Sequence, residues 1–225
     1  MLALAKLCSA SYLESNTDAV LALGMQPVAQ LGGCQCVVTV ASWGGYIVVA
    51  FQGTRVTDDT SVAELFDDID DTATVLPGGY RVASGFWEPL ADLWPRIAAV
   101  MPPDMQPLIT GHSLGGVRAH LAKWLCPSAE VVSFGAPCGA DNAFWLAAYP
   151  DDPPLRIVNE RDFAPAWPWD GTWGQPCALA WMRGGYMTMV LTRPGLDLSV
   201  ADHCVDGGYI AGIEAVIRLP TTEMA

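Results

Sequence analysis

Residues 108–125 read LITGHSLGGVRAHLAKWL and join a strand-like run to a helix-like one. Its first three residues form an apolar run typical of a buried strand, and residues 117–125 carry apolar side chains at helical spacing. Between them lies GHSLG, a G-x-S-x-G in the strand-to-helix context that this motif requires. Glycines two positions before and after Ser113 allow a strained turn that projects the hydroxyl at the edge of a sheet. The stretch therefore predicts a strand, an exposed nucleophilic serine and a helix.

Apolar runs rich in β-branched residues predict further strands on both sides of this stretch. Helical spacing of apolar residues separates several of them, at residues 90–100 and at 144–148, where Asp141 is a candidate N-cap. Pro95 lies inside the first helical pattern, so that helix should be kinked there or begin there. Strands alternating with helices predict an α/β fold with a mostly parallel central sheet. The strand runs are residues 36–41, 46–51, 130–134 and 155–159, with a weaker one at 187–192.

The composition is that of a globular chain of 225 residues, 52% of them hydrophobic, which is enough for one domain over residues 1–225. Asp and Glu number 24 against 11 Lys and Arg, so the net charge is −13. That sign argues against binding to the phosphate backbone of a nucleic acid. Gly, Pro and acidic residues interrupt every apolar stretch before it reaches the length of a membrane span, so we expect no transmembrane segment.

The N-terminal segment lacks the basic start and the uninterrupted apolar run of a secretory signal. It favours an amphipathic helix with Leu4, Cys8 and Tyr12 on one stripe. Seven cysteines without a framework spacing suit a reducing compartment. Cys34 and Cys36, two apart in a strand-like run, more simply share one face of a sheet than form a redox or metal site. We therefore expect a soluble, cytoplasmic protein, with export by another route left open.

A serine nucleophile needs a base within hydrogen-bond reach, and the chain has three histidines. His112 precedes Ser113 in the same tight turn and should point away from it. His120 lies seven residues along the predicted helix, about 10 Å further down its axis. By elimination, His203 is the predicted base.

The acid that orients the base should lie between the serine and the histidine, because that is the chain order in sheets that carry this turn. Asp162 follows the strand-like run 155–159, near the carboxyl end where open α/β sheets place their sites. Asp141 is a rival, although its position before a helical pattern favours a cap. Glu160 is a second alternative. Asp162 is the predicted acid.

Acyl transfer also needs N–H donors aimed at the oxyanion. One donor should be the backbone N–H of Leu114, the residue after the nucleophile, and the other should come from a loop after an early strand. The run 46–51 ends in Gln52, Gly53 and Thr54, which supply such a loop.

Six segments of the chain, in the same order, resemble motifs of one known family. They are FQGT at 51–54 (F-R-G-T, the oxyanion segment), GF at 85–86 (V-H-x-G-F), TGHSLGG at 110–116 (the same seven letters), SFGAP at 133–137 (T-F-G-x-P), RIVNERDFAP at 156–165 (R-V-V-N-x-x-D-x-V-P) and DH at 202–203 (a late D-H pair). The family is that of the class 3, fungal-type lipases, which have the α/β-hydrolase fold. The resemblance spans residues 46–209.

The resemblance implies a serine hydrolase of carboxylic esters, acting on acylglycerols or related lipids through an acyl-enzyme and without a metal or cofactor. It implies Ser113, Asp162 and His203 as the catalytic triad, with Thr54 and Leu114 as oxyanion residues. The expected partners are a lipid or small ester substrate and a transient lipid interface. A short-chain, phospholipid or aromatic-acid esterase on the same scaffold stays open, as does an inactive binding module, which the complete triad disfavours.

Four features go beyond the shared motifs or depart from them. Gln52 stands where the family has Arg and Ala83 where it has His, so whatever those side chains anchor near the oxyanion loop is in question. Residues 57–71 occupy the lid position and carry seven carboxylates, which predicts an exposed acidic face and, from its position, a mobile cover. Residues 164–181 hold four tryptophans, which should pack under a long loop or form one wall of an apolar pocket.

Overall fold

A computed structural model of the chain describes residues 1–33, 35–54, 70–159, 162–168, 171–176, 188–191 and 203–218. A 3₁₀ turn at Ala164–Ala166 and a π-helical segment at Val205–Ile210 accompany the regular elements. The helices are α1 (Leu2–Ala10), α2 (Thr17–Ala22), α3 (Ser84–Val100), α4 (Leu114–Leu125), α5 (Asn142–Ala148) and α6 (Ala211–Arg218). The strands are β1 (Gln26–Gly33), β2 (Cys36–Trp43), β3 (Tyr46–Phe51), β4 (Ala73–Val75), β5 (Arg81–Ala83), β6 (Gln106–His112), β7 (Glu130–Phe134), β8 (Leu155–Asn159) and β9 (Thr188–Leu191).

The central sheet has the order β1-β2-β3-β6-β7-β8-β9. The pairs β1/β2 and β2/β3 are antiparallel, and every pair from β3 onward is parallel. Phe51, Gly111 and Ser133 are register partners across β3, β6 and β7, so the carboxyl ends of these strands lie side by side. The mostly parallel α/β sheet predicted from the sequence is confirmed, and its carboxyl edge is where such sheets place their sites.

Helices cover both faces of the sheet, as the alternation along β3 shows. Ile47, Val49 and Phe51 are buried in a core shared with α3, α4 and α5. Val48 and Ala50 are buried in a second core shared with α1, α2, the π-helical segment and α6. Burial on both faces explains why β3 has a continuous apolar run, which is typical of strands inside a parallel sheet.

The predicted strands are present, and β3, β7 and β8 have the predicted bounds. The sequence does not predict strands β1, β4 and β5. Strand β1 (QPVAQLGG) is a mostly exposed edge strand without a continuous apolar run, and the other two have three residues each. The expectation that a helix begins at Pro95 is wrong, because α3 starts at Ser84 and contains both Pro89 and Pro95. Fully buried apolar side chains of α3 lie on both sides of Pro95 and pack against the sheet, which stabilises the helix across the proline. They are Leu90, Leu93 and Ile97.

The N-terminal helix is confirmed, but it ends at Ala10, so Tyr12 lies beyond it. Leu4 and Cys8 are buried as expected. Cys36 is buried on β2, whereas Cys34 lies outside the described residues. Within the described part of the chain, no helix combines the length and apolarity that crossing a bilayer requires.

Candidate active site

Ser113 occupies a sharp turn between the end of β6 and the start of α4. Its φ of 56° and ψ of −129° place a non-glycine residue in a region that L-residues rarely adopt. Its backbone N–H donates to the Phe134 carbonyl at 2.9 Å, which ties the turn to β7. Such strain persists only where the surroundings enforce it, and it is common at reactive side chains.

Two glycines make this turn possible because backbone segments meet at their α-carbons. A Cβ on Gly111 would overlap the carbonyl of Gly115, and a Cβ on Gly115 would overlap the carbonyl of Phe51 at the end of β3. The glycines two positions before and after Ser113 therefore have the steric role that the motif predicts.

His203 lies beside the serine, two residues before the π-helical segment begins at Val205. Its Nε2 is 2.9 Å from Ser113 Oγ, and its Nδ1 is 2.9 Å from each carboxylate oxygen of Asp162. A carboxylate only accepts, so Nδ1 carries the proton and Nε2 is free to accept from the serine hydroxyl. All three residues are buried. The structure thus brings together the three side chains named from the sequence.

Asp162 follows β8, and its side chain is fully buried. Its Oδ1 accepts from the Ala164 backbone N–H at 2.8 Å, and its Oδ2 accepts from the Tyr209 hydroxyl at 2.6 Å. Burial, and next the charge of Asp162, raise the pKa of Tyr209 well above its ordinary value, so the phenol keeps its proton and donates. The carboxylate is held by donors on several sides, which fixes its orientation toward His203.

Of the two alternative acids, Asp141 has a structural role elsewhere in the fold. Asp141 caps α5: its Oδ1 accepts from the Phe144 N–H at 2.7 Å and its Oδ2 from the Arg81 N–H at 3.0 Å. The predicted cap is confirmed. Glu160 lies outside the described residues.

The other two histidines are both buried and have different surroundings. His120 Nε2 is 2.8 Å from Ser133 Oγ, and burial, with Arg156 second, lowers the pKa of His120 well below its ordinary value. His112 lies beside the predicted base. Its ring centroid is 4.9 Å from that of His203, and its Nε2 is 2.6 Å from the His203 carbonyl oxygen.

Sequence reasoning missed three side chains at this site, Tyr12, His112 and Tyr209. Tyr12 Oη lies 3.0 Å from His112 Nδ1, across 100 residues of sequence. Tyr209 contacts Asp162 across 47 residues. Single tyrosines at such separations carry no local pattern, so only the tertiary fold shows them.

The oxyanion candidates flank the nucleophile. Leu114 is the first residue of α4, so its N–H has no acceptor within the helix and lies at the positive end of the helix dipole. A Cβ on Gly53 would lie 2.7 Å from the His112 carbonyl oxygen and 3.2 Å from Ser113 Cβ, so the predicted loop runs directly along the turn. Thr54 follows and is half-buried. Both predicted N–H donors therefore belong to segments that touch the nucleophile turn.

The two departures from the family pattern are buried. Gln52 donates its backbone N–H to the Val37 carbonyl at 2.9 Å, and its side-chain nitrogen is buried without a hydrogen-bond partner among the described residues. Ala83 ends β5 and donates its N–H to the Gly139 carbonyl at 2.9 Å.

Most of the acidic segment predicted as a cover, residues 57–69, lies outside the described residues. Asp70 and Asp71 are exposed, and Asp70 Oδ1 accepts from both the N–H and the hydroxyl of Thr72.

In the tryptophan-rich stretch, Trp167 packs edge-on against Phe86 and Trp173 lies under the Arg81 guanidinium, 5.5 Å from ring centroid to Cζ. Trp169 and Trp181 are outside the described part of the chain.

No three His, Cys, Asp or Glu side chains of the described residues are grouped as metal ligands. The arrangement at Ser113 is instead suited to nucleophilic catalysis, with a base aligned on the hydroxyl and an acid behind the base.

Comparison with solved structures supports the α/β-hydrolase fold. A Rhizomucor miehei lipase in a propeptide complex is 21% identical with a TM-score of 0.63, and the alignment covers 74% of this chain and 61% of that one. A Rhizomucor miehei triacylglyceride lipase is 20% identical with a TM-score of 0.65, covering 76% and 74%. A Rhizopus microsporus var. chinensis lipase is 21% identical with a TM-score of 0.60, covering 74% and 67%. The chain thus spans 61% of the first of these proteins.

No curated protein sequence matches the chain. The family model described as Lipase (class 3) matches residues 48–171, from β3 through the nucleophile turn and past Asp162. This match confirms the resemblance found in the motifs. Because it covers more than half of the 225 residues, the chain belongs to the Lipase (class 3) family.

Proposed function

We propose that this protein hydrolyses carboxylic esters, with Ser113 as nucleophile, His203 as general base and Asp162 as the orienting acid. One observation carries the proposal: Ser113 Oγ lies 2.9 Å from His203 Nε2, and His203 Nδ1 lies 2.9 Å from Asp162. This is hydrogen-bond reach in the tautomer that general-base catalysis needs. Membership of the class 3 lipases supports the same chemistry.

In the first half-reaction, His203 Nε2 takes the hydroxyl proton as Ser113 Oγ bonds to the ester carbonyl carbon. The carbonyl electron pair moves to oxygen, and the N–H groups of Leu114 and Thr54 are the donors proposed to hold that oxyanion. As the C–O bond to the leaving alcohol breaks, the protonated His203 gives its proton to the alcohol. Asp162 stays ionised and stabilises the imidazolium that forms between these steps.

In the second half-reaction, His203 takes a proton from water, and the resulting hydroxide attacks the acyl carbon. Collapse of the second tetrahedral intermediate returns the proton to Ser113 Oγ and releases the carboxylic acid. No atom in either half-reaction needs a metal or a redox group.

We propose acylglycerols or related lipid esters as the substrate class, reached at a transient lipid interface. Similarity to a chain described as a triacylglyceride lipase supports this choice, as does the family match. A short-chain ester hydrolase on the same scaffold would use the identical triad, so the two readings differ in acyl length and not in mechanism.

The test is a series of initial rates on p-nitrophenyl esters of rising acyl length, alongside a triacylglycerol emulsion, for the wild type and Ser113→Ala. The account predicts hydrolysis that disappears in Ser113→Ala, with rates rising toward long chains and the emulsion. Rates confined to acetyl and butyryl esters would replace the lipid substrate with a short-chain one. Hydrolysis that persists in Ser113→Ala would overturn the proposed function.

A further inference from the structure

Tyr12 links the N-terminal segment to two parts of the candidate site. It lies two residues beyond the end of α1, its hydroxyl is 3.0 Å from His112 Nδ1, and the two rings meet edge-on with centroids 6.2 Å apart. The backbone of Gly53, in the loop proposed to hold the oxyanion, approaches so closely that a Cβ there would overlap the Tyr12 hydroxyl. Burial raises the pKa of the Tyr12 phenol, and the nearby Gly53 amide offsets only part of that rise, so the hydroxyl keeps its proton.

The partners of His112 determine its tautomer. Its Nε2 lies 2.6 Å from the carbonyl oxygen of His203, and a carbonyl can only accept, so Nε2 carries a proton. Burial, and then His203, lower the pKa of His112 to about 3, so the ring is neutral and Nδ1 has no proton. Nδ1 therefore accepts from the Tyr12 hydroxyl.

The hydrogen bonds form one directed chain. The Tyr12 O–H donates to His112 Nδ1, and His112 Nε2–H donates to the His203 carbonyl. The His203 carbonyl selects the tautomer that protonates Nε2, because in the other tautomer this carbonyl would face a bare nitrogen. Nδ1 is then an acceptor, and the Tyr12 hydroxyl is the donor that satisfies it and anchors the ring. The Tyr12 hydroxyl thus acts, through His112, on the main chain of the predicted base.

We propose that Tyr12 and His112 are positioning residues: the Tyr12 hydroxyl donates to His112 Nδ1 and anchors the ring, so that its Nε2–H fixes the main-chain carbonyl of His203. This inference rests on the proposed function, since it assigns the two residues to the alignment of its base. Alignment matters because a displacement of about 1 Å between a base and its nucleophile can cost on the order of a hundredfold in rate. Neither side chain is assigned a contact with substrate.

The primary variant is Tyr12→Phe, which removes the hydroxyl and keeps the ring. On a small soluble p-nitrophenyl ester, kcat per titrated active site should fall about tenfold to a hundredfold, with KM changed less than about twofold. Tyr149→Phe is the matched control: Tyr149 is also buried, and its hydroxyl donates to the His120 carbonyl at 2.9 Å, away from this chain of bonds. It should lower the melting temperature and leave kcat at the wild-type value.

A second pair of variants tests the donor to the His203 carbonyl. The side-chain amide of His112→Gln is a donor that can reach the His203 carbonyl, whereas His112→Leu has no donor. His112→Gln should therefore turn over about tenfold faster than His112→Leu. In the His112→Gln background, Tyr12→Phe should lower kcat by a much smaller factor than in the wild type, because the amide N–H donates whether or not the Tyr12 hydroxyl is present. If Tyr12 served stability alone, Tyr12→Phe would change kcat by the same factor in both backgrounds.

Different results would overturn this inference and the proposed function. A wild-type kcat in Tyr12→Phe, or equal kcat in His112→Gln and His112→Leu, overturns the inference while leaving the proposed function in place. Full activity of Ser113→Ala overturns the proposed function instead. If Tyr12→Phe shows no cooperative melting transition, the comparison of His112→Gln with His112→Leu decides the matter.

Discussion

The Tyr209 hydroxyl donates to Asp162 Oδ2 at 2.6 Å and, through its oxygen, accepts from the Asn159 backbone N–H at 3.2 Å. One phenol thus joins the end of β8 to the carboxylate that follows it. Tyr209 belongs to the π-helical segment that follows His203, so the base and the phenol that braces the acid lie only six residues apart in the chain.

Tyr209→Phe should keep the fold and weaken both stability and catalysis. The variant leaves Asp162 Oδ2 and the Asn159 N–H each short of one bond, a loss of about 1–3 kcal/mol of unfolding free energy. Urea unfolding followed by tryptophan fluorescence measures that loss, and kcat on a soluble ester should fall with it. Unchanged kcat would show that Asp162 does not need the phenol to face His203.

Asp162→Asn should fold and lose nearly all turnover. The amide can donate to His203 Nδ1, which favours the tautomer with Nε2 protonated and so blocks acceptance of the Ser113 proton. In the best-studied analogous change, kcat falls about ten-thousandfold. Asp141→Asn is the control, because Asp141 caps α5. If Asp141→Asn were the inactive variant and Asp162→Asn the active one, the acid would be Asp141.

His203→Ala and His120→Ala should separate the histidines by function. Removing His203 leaves Ser113 without a base, so turnover should fall by a factor comparable to that of removing the serine. His120 contacts Ser133 Oγ and not Ser113, so its loss should lower the melting temperature through a buried cavity while kcat per folded molecule stays near the wild-type value. Equal loss of kcat in both variants would contradict the assignment of the base.

Gly135→Ala should damage the site more than a matched glycine substitution. Gly135 has a φ of +59°, and an added Cβ would lie 2.6 Å from Asp162 Oδ2 and 2.8 Å from the Tyr209 hydroxyl. Gly44 has the same φ, but nothing lies within 4 Å of an added Cβ. Both variants incur the backbone strain, about 1–2 kcal/mol, and only Gly135→Ala should also reduce kcat. Melting curves and kcat for the two variants make the comparison, and a normal kcat in Gly135→Ala would refute it.

The parts of the fold that the sequence predicts are those in which burial leaves a local pattern. Strands β3, β7 and β8 lie inside the sheet and are continuous apolar runs, so their bounds could be read directly. Strand β1 is exposed at the sheet edge, and its polar residues carry no such run. The continuity of α3 across Pro95 depends on packing against the sheet, which no local signal reports.

The site residues that the sequence predicts are those with a local motif or a constrained place in the chain. Ser113 lies in such a motif, and elimination and chain order point to His203 and Asp162. The structure brings all three into contact. Their roles stay predictions until they are tested in solution, as does the cytoplasmic location expected from the N-terminal segment. Tyr12, His112 and Tyr209 join the site through hydrogen bonds across 47 to 100 residues of sequence, which only the three-dimensional arrangement reveals.

The most direct measurement is to inactivate the wild-type protein with a serine-reactive alkyl phosphonate and locate the adduct by peptide mass mapping. We expect one adduct per molecule, on Ser113, formed in step with the loss of ester hydrolysis. We also expect no adduct in Ser113→Ala and strongly slowed labelling in His203→Ala, because the hydroxyl is activated only through that base. An adduct on a different serine, or complete labelling that leaves hydrolysis intact, would contradict the claim that Ser113 is the nucleophile.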